Sequence, residues 1–218
     1  GPNDPVTIAD CLANQHICAR LRASFPDCVL VAEESPPEEY ATYRDAERLF
    51  FIDPLDGTRE FVQRTGEFVV MIGYVEDARA TAGIIHSPLD GRVWIGQLGI
   101  GAFGRIGAEP FKALQVATEE DPARSRILVS RSQNLPAARR LTQALGTSDL
   151  VAMGSAGLKG AGVAEGSADA YIGLGNAGKR WDVCAPDAIV SAAGGCFADT
   201  DGCSFDYRAQ DLANLRGI

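Results

Sequence analysis

The feature that most constrains the fold is an apolar run that ends in two acids. The run Leu49–Ile52 is followed directly by the segment Asp53–Thr58, with the sequence Asp-Pro-Leu-Asp-Gly-Thr. Four large apolar residues in succession predict a buried strand, and the acids, proline and glycine predict a turn at its carboxyl end. Thr58 then opens a short helical pattern. Two neighbouring carboxylates suit a hard metal ion, and the free N–H groups of a helix N-terminus suit an anion.

Taken alone, Asp53–Thr58 is equally compatible with an ordinary turn followed by a threonine N-cap. Single acids at the ends of other predicted elements favour a functional site. Glu33 follows the strand-like run Cys28–Val31, Asp182 begins an apolar helical stretch after Trp181, and Asp10 lies in the first turn of another predicted helix. Four separate segments therefore offer carboxylates to one common site.

Composition limits the classes of protein and partner. The 218 residues are 46% hydrophobic, enough for one compact unit of two lobes. We expect an α+β metal-binding lobe over residues 1–121 and an α/β lobe over residues 122–218. The net charge of −9 argues against a nucleic-acid partner but allows a small phosphate held through cations. No apolar run approaches the roughly 20 residues that cross a bilayer.

Cysteine and histidine content points to a reducing, cytoplasmic location and away from two kinds of catalysis. The six cysteines form no Cys-x-x-Cys pair and lie mostly in apolar patterns, so we expect free thiols. His16 and His86 are the only histidines, and neither has a metal-ligand partner at helical spacing. Zinc catalysis and Ser-His-Asp chemistry are therefore poorly supported.

Periodicity predicts helices and strands along the whole chain. An amphipathic helix capped by Thr7 is predicted over residues 8–23, and an antiparallel meander follows the acidic turn, with strands over 68–75, 81–86, 93–97 and 102–105. Residues 107–125 are polar and are predicted to link the lobes. Strands over 127–129, 150–152 and 168–172 then alternate with helices over 135–145, 158–165 and 182–193. The fold class is thus α+β in the first lobe and α/β in the second.

The four acidic segments resemble the inositol monophosphatase superfamily of metal-dependent, lithium-sensitive phosphatases, from Asp4 to about Asn214. Within the superfamily, two stretches look like the corresponding stretches of 3'(2'),5'-bisphosphate nucleotidases. The first is Asp56–Val62 with the following Gly66–Phe68, and the second is Lys179–Asp187 with its Trp-Asp-x-Cys-Ala-Pro pattern. The resemblance implies layered, alternating helices and sheets with the site between two lobes. Relatives usually carry a few dozen helical residues before this point, and the sequence does not determine whether such a segment is missing here.

The resemblance also implies which residues carry the chemistry. Two or three Mg²⁺ ions per site are expected, to polarise the phosphoryl oxygens, activate a water and stabilise the leaving oxygen. Their expected ligands are the carboxylates of Glu33, Asp53, Asp56 and Asp182 and the backbone carbonyl of Leu55. Either Glu33 or Glu34 fits the first of these positions, and the family pattern favours Glu33. Asp182 also fits a helix N-cap.

Asp10 and Thr58 are expected, by the same resemblance, to orient and deprotonate the attacking water. Expected substrate contacts are Gly57, Thr58, Ser130, Gln133, Ser155 and Lys159. The alternative interpretation of the last two is a glycine-rich turn between a strand and a helix, with a solvated lysine. Gln133 stands where family members often have histidine, which leaves the nucleotide preference open. Asp187 and Asp199 are expected in surface or turn positions.

The predicted function is Mg²⁺-dependent removal of the 3'-phosphate from 3'-phosphoadenosine 5'-phosphate. One alternative is an inositol mono- or polyphosphate phosphatase, although the sequence lacks the Asn-Phe-Val-His form typical of inositol monophosphatases after Gly57-Thr58. A second is a catalytically inactive phosphate-binding protein. The presence together of Asp10, Glu33, Asp53, Asp56, Thr58 and Asp182 argues against inactivity. The sequence does not determine the oligomeric state.

Overall fold

The computed structural model describes residues 5–131 and 135–218. Its helices are α1 (Ile8–Ser24), α2 (Thr58–Gln63), α3 (Leu135–Leu145), α4 (Ala156–Ala164) and α5 (Arg180–Ala192). Its strands are β1 (Val29–Ala32), β2 (Arg48–Asp56), β3 (Val69–Glu76), β4 (Arg79–Ser87), β5 (Arg92–Gln97), β6 (Gly101–Ile106), β7 (Lys112–Leu114), β8 (Ile127–Ser130), β9 (Leu150–Met153) and β10 (Ala170–Ile172). Among the described helices, none has both the length and the apolar composition needed to span a bilayer.

The larger sheet contains β1 to β7 side by side in chain order. β1 and β2 are parallel, and every later pair is antiparallel, which confirms the predicted meander. Residues 107–125, predicted to link the lobes, also contain a strand that was not predicted, because β7 lies within them and pairs with β6. Its residues are half-buried or exposed at the sheet edge, so the segment lacks the apolar pattern that marks a central strand.

The smaller sheet has the order β10-β8-β9, with all strands parallel. The helices α3 and α4 connect these strands, which is the α/β alternation predicted for the second part of the chain. The last helix, α5, nevertheless packs against strands β2 to β6 of the larger sheet. The division between lobes at residues 121 and 122 remains a prediction.

Helix α5 lies very close to the larger sheet because three glycines face it. Gly73, Gly83 and Gly96 are direct cross-strand neighbours on β3, β4 and β5. A Cβ atom at Gly83 would lie 2.7 Å from the carbonyl oxygen of Ala185, and one at Gly96 would lie 2.7 Å from the Cα of Ile189. The opposite face of the sheet is covered over β1 and β2 by α1. The result is a layered arrangement of helices and sheets, as predicted.

Candidate active site

Three carboxylates meet where β2 ends and α5 begins. Asp53 and Asp56 close β2, and an irregularity in the pairing of β2 with β3 lies between them. Asp182 lies in the first turn of α5. One carboxylate oxygen from each of the three lies within 4.8 Å of the others. Asp53 and Asp56 are buried, at 1% and 7% exposure, so water does little to screen their charges.

Glu33 joins this cluster from the neighbouring strand. It follows β1, and its backbone N–H donates to the carbonyl of Ile52 at 3.0 Å. Burial, with the negative charges of Asp182 and Glu34, raises the pKa of Glu33 to about 8. Burial also raises the pKa of Asp182 to about 7, with the charge of Asp56 adding to the effect. Glu33 and Asp182 thus hold a proton more readily than ordinary carboxyl groups unless cations compensate the negative charge. Two buried carboxyl groups, those of Asp53 and Asp56, and two half-buried ones, those of Glu33 and Asp182, supply the all-oxygen donor set that hard divalent cations prefer, so these residues fit such ions.

Hydrogen bonds from the protein fix the orientation of these carboxylates. The N–H of Leu55 donates to Asp53 at 3.0 Å, and the N–H of Lys179 donates to Asp182 at 2.6 Å. The interpretation of Asp182 as a helix N-cap is wrong, because Lys179 occupies the N-cap position and Asp182 the third helical position. An acid at that position reaches back to the N-cap backbone N–H, as in a capping box. Its direction is therefore set by the helix itself.

Asp10 and Thr58 form the contact expected of them. The hydroxyl of Thr58 donates to Asp10 Oδ1 at 3.2 Å and to the carbonyl oxygen of Leu55 at 3.1 Å. The other Asp10 oxygen accepts from the backbone N–H of Thr7 at 2.8 Å and from its hydroxyl. Thr7 also caps α1, as predicted. Asp10 is only 2% exposed, so its carboxylate is held against Thr58 rather than solvated.

A cavity of about 490 Å³ opens over the acids. Its lining includes these residues of the expected site: Glu33, Asp53, Leu55, Asp56, Gly57, Thr58, Ser130, Ser155, Lys159 and Asp182. Gly57 has a φ of +94°, and a Cβ there would lie 2.5 Å from the carbonyl oxygen of Glu67, so the turn into α2 requires glycine. Gln133 lies outside the described residues. Its expected role stays a prediction.

The family model described as the inositol monophosphatase family matches residues 1–215. The chain belongs to the inositol monophosphatase family. The family is metal-dependent, in agreement with the acidic cluster.

Relatives within the inositol monophosphatase family include nucleotidases. The chain is 32% identical over 212 residues to the 3'(2'),5'-bisphosphate nucleotidase CysQ of Aggregatibacter actinomycetemcomitans, covering 96% of this chain and 77% of the relative. It is 29% identical over 239 residues to human 3'(2'),5'-bisphosphate nucleotidase 1, covering 94% and 74%. The crystal structure of CysQ from Bacteroides thetaiotaomicron matches with a TM-score of 0.83 and 31% identity, covering 99% of this chain and 84% of that one.

For Lys159, the alternative to a substrate contact was a solvated lysine in a glycine-rich turn. That alternative is wrong, because Lys159 is 3% exposed. Its ammonium group donates to the carbonyl oxygens of Gly154 at 2.6 Å and Ser155 at 2.7 Å, and it lies 5.0 Å from the centre of the Tyr171 ring. Burial lowers the pKa of Lys159 to about 8, although the charges of Asp56 and other nearby acids favour the ammonium form.

Two further residues beside the cavity had no role assigned from sequence. Glu67 accepts from Arg131 at 2.5 and 2.6 Å and from the backbone N–H of Gly154 at 2.6 Å. Glu67 lies in the stretch Gly66–Phe68, which was noted for its resemblance to nucleotidases, and Arg131 follows Ser130, an expected substrate contact. No sequence pattern, however, indicates that the loop before β3 meets the ends of β8 and β9, because that proximity depends on how the two sheets are placed.

The expectation for Asp187 was wrong and that for Asp199 was right. Asp187 is a half-buried residue of α5 that faces the C-terminal segment, and the hydroxyls of Tyr207 and Ser191 donate to it at 2.8 and 3.1 Å. Burial raises the pKa of Asp187 to about 6. Helical periodicity alone did not reveal this, because Tyr207 comes from a segment without regular structure. Asp199 accepts from the N–H groups of Asp201 and Cys203 in a turn.

Proposed function

We propose that this protein is a Mg²⁺-dependent phosphatase that hydrolyses the 3'-phosphate of 3'-phosphoadenosine 5'-phosphate. The observation that carries the proposal is that Glu33, Asp53, Asp56 and Asp182 surround one cavity together with Thr58, whose hydroxyl reaches Asp10. Relatives named as 3'(2'),5'-bisphosphate nucleotidases, at 29–32% identity over more than nine tenths of the chain, support this substrate class.

The water-activating pair is Thr58 and Asp10. With its hydrogen directed to Asp10, the Thr58 oxygen presents lone pairs to a water molecule in the cavity. Proton transfer from that water to Thr58, and from Thr58 to Asp10, would make the water a better nucleophile for phosphorus. Thr7 keeps Asp10 in place by occupying its other oxygen.

The cation ligands are proposed to be the carboxylates of Glu33, Asp53, Asp56 and Asp182 and the carbonyl oxygen of Leu55. Two or three Mg²⁺ ions are proposed. When bound, they supply Lewis-acid polarisation of the phosphoryl group and offset the charge of the acids. The N-terminus of α2 is proposed to receive the phosphate, because Gly57 and Thr58 place its first N–H groups on the cavity wall.

The second phosphate of the substrate requires a cation that the acids do not supply. Arg59 lines the cavity and its side chain is exposed, so a substrate phosphate in the cavity can reach the guanidinium group. We therefore propose Arg59 as the contact to this phosphate. Ser130, Gln133, Ser155 and Lys159 remain proposed as residues that shape the nucleotide side of the cavity. A cytoplasmic location is proposed as well, and all six cysteines are free thiols, as expected.

A substrate panel with Mg²⁺ tests the proposal. Charge-assisted hydrogen bonds contribute roughly 1.5–3 kcal/mol, so kcat/KM for 3'-phosphoadenosine 5'-phosphate should exceed that for inositol 1-phosphate by at least about tenfold. Arg59→Ala should narrow this ratio, while Arg20→Ala, an exposed change on α1, should leave it unaltered. A higher kcat/KM for inositol 1-phosphate would assign an inositol phosphatase instead, and no turnover of any phosphate ester would indicate an inactive binding protein.

A further inference from the structure

Glu67 connects three separate parts of the chain beside the cavity. It lies in the loop between α2 and β3, Arg131 follows β8, and Gly154 follows β9. One carboxylate thus receives a guanidinium and a backbone N–H from the two neighbouring strands of the smaller sheet. Burial alone would raise the pKa of Glu67, but these donors outweigh it and hold the pKa below its usual range. The contacts with Arg131 and Gly154 therefore favour the ionised form of Glu67 in the folded protein.

The backbone turn that Glu67 holds is an unusual one. Ser155, next to Gly154, has a φ of +32°, a value that residues other than glycine seldom adopt. Such a conformation persists only where surrounding contacts impose it. Here the contacts are the Glu67 bond to Gly154 on one side and the Lys159 bonds to two successive carbonyls on the other. A side chain at Gly154 would also collide with Glu60 of α2, so the turn is confined from that direction too.

This turn delivers two hydrogen bonds to Asp56. The Ser155 hydroxyl donates to Asp56 Oδ2 at 2.5 Å, and the N–H of Gly157 donates to the same oxygen at 2.7 Å. Asp56 is on β2 of the larger sheet, whereas both donors follow β9 of the smaller sheet. The orientation of one proposed cation ligand is consequently set by a turn of the other sheet.

We propose that Glu67 is a positioning residue for the cation site, acting on Asp56 through Gly154 and Ser155. The inference rests on the proposed cation site but not on the proposed substrate. Loss of the Glu67 charge would weaken its ion pair with Arg131 and its hydrogen bond from the Gly154 N–H, let the turn relax from its positive φ, and withdraw the Ser155 hydroxyl from Asp56. Groups that orient metal ligands typically affect metal affinity by about 10–100-fold.

Calorimetric titration of the full chain with Mg²⁺ tests this inference. Ser155→Ala should weaken Mg²⁺ binding by about tenfold, and Glu67→Gln should weaken it by about threefold or more. Because Glu67 acts through Ser155, the double variant should bind Mg²⁺ no more weakly than Ser155→Ala alone. Glu119→Gln is the matched control, because Glu119 also accepts from an arginine, Arg124, and from a backbone N–H, that of Asp121. It should leave the affinity unchanged.

Two results would overturn the inference. The first is a Glu67→Gln variant that has lower thermal stability than wild type but an unchanged Mg²⁺ affinity. That result would mean that Glu67 has a purely structural role. The other is a double variant whose loss is the product of the two single losses, which would mean that Glu67 acts independently of Ser155. If Glu67→Gln does not fold, Arg131→Met removes the same ion pair from the exposed side and should weaken Mg²⁺ binding in the same direction. These titrations involve no phosphate ester, so their outcome is separate from that of the substrate panel.

Discussion

Replacing Asp187 with asparagine should remove a pH-dependent loss of stability. In the folded protein, burial raises the pKa of Asp187 from its ordinary 3.8 to about 6. A carboxyl group with a raised pKa favours the folded state most below pH 3.8, and this contribution is lost as the pH rises through 6. At 1.36 kcal/mol per pH unit, the full loss is about 3 kcal/mol. About 2 kcal/mol of it falls between pH 4.5 and pH 8.

The assay is urea unfolding of the wild-type protein and Asp187→Asn at several pH values, with a chelator present so that cation binding does not contribute. The acids of the cation site are common to both proteins, and their titration cancels in the difference. We expect the stability of the variant relative to wild type to increase by about 2 kcal/mol from pH 4.5 to pH 8. A constant offset is acceptable, since the asparagine amide changes the bonds to Ser191 and Tyr207.

A difference that does not vary with pH would refute the reasoning, because it would mean that Asp187 titrates alike in the folded and unfolded chains. Tyr207→Phe provides the opposing comparison. It removes a hydroxyl that donates to the ionised carboxylate at 2.8 Å, so the pKa of Asp187 should rise further. That variant should lose stability relative to wild type as the pH increases.

Three other changes test the site and its placement. Asp56→Asn should lower turnover by at least about 100-fold in steady-state kinetics at saturating Mg²⁺, because it removes a proposed charged ligand of the cation. Activity within tenfold of wild type would contradict the assignment of Asp56 as a cation ligand. Thr58→Ala should lower kcat by about 10²–10⁴-fold while calorimetry shows unchanged Mg²⁺ affinity, and Thr58→Ser should restore most of the rate. If Thr58→Ala instead lost Mg²⁺ affinity and kept a normal kcat, Thr58 would serve cation binding and not water activation. Gly83→Ala should destabilise the fold by about 1–3 kcal/mol in urea unfolding and weaken Mg²⁺ binding, because the new Cβ meets the Ala185 carbonyl and displaces α5. If stability and Mg²⁺ affinity both stay unchanged, the sheet tolerates a wider spacing from α5 and the reasoning is wrong.

Local sequence signals predicted much of the fold and the acids at the end of β2, whereas the other candidate site residues were assigned roles by the family resemblance. Thr7 caps α1 where the capping pattern placed it, and the strands of the meander follow their alternating patterns. The acids at Asp53 and Asp56 lie at the end of the strand that the run Leu49–Ile52 predicted. These features depend on residues close together in the chain, and neighbouring residues determine caps, turns and the direction of strand ends.

Features that depend on distant segments could not be predicted from such signals. Lys159 was expected to contact the substrate, with a solvated lysine as the alternative, and its burial against the carbonyls of Gly154 and Ser155 was not predicted. Asp187 looked like a surface acid, yet Tyr207 lies 20 residues away in the chain and covers it. Edge strand β7 is too short and polar to stand out. In each case the partner is supplied by tertiary packing, which overrides local preference.

Two of the site acids have a second role in secondary structure, and this affects how sequences related to this one should be judged. Asp10 accepts from the N-cap backbone of α1, and Asp182 accepts from the N-cap backbone of α5. A descendant that lost its catalytic activity would still gain helix stability from both carboxylates, so selection for folding alone would preserve them. Glu33 and Thr58 make no comparable capping contact among the described residues. Their presence or loss is therefore the better indicator of whether a relative is still an active enzyme.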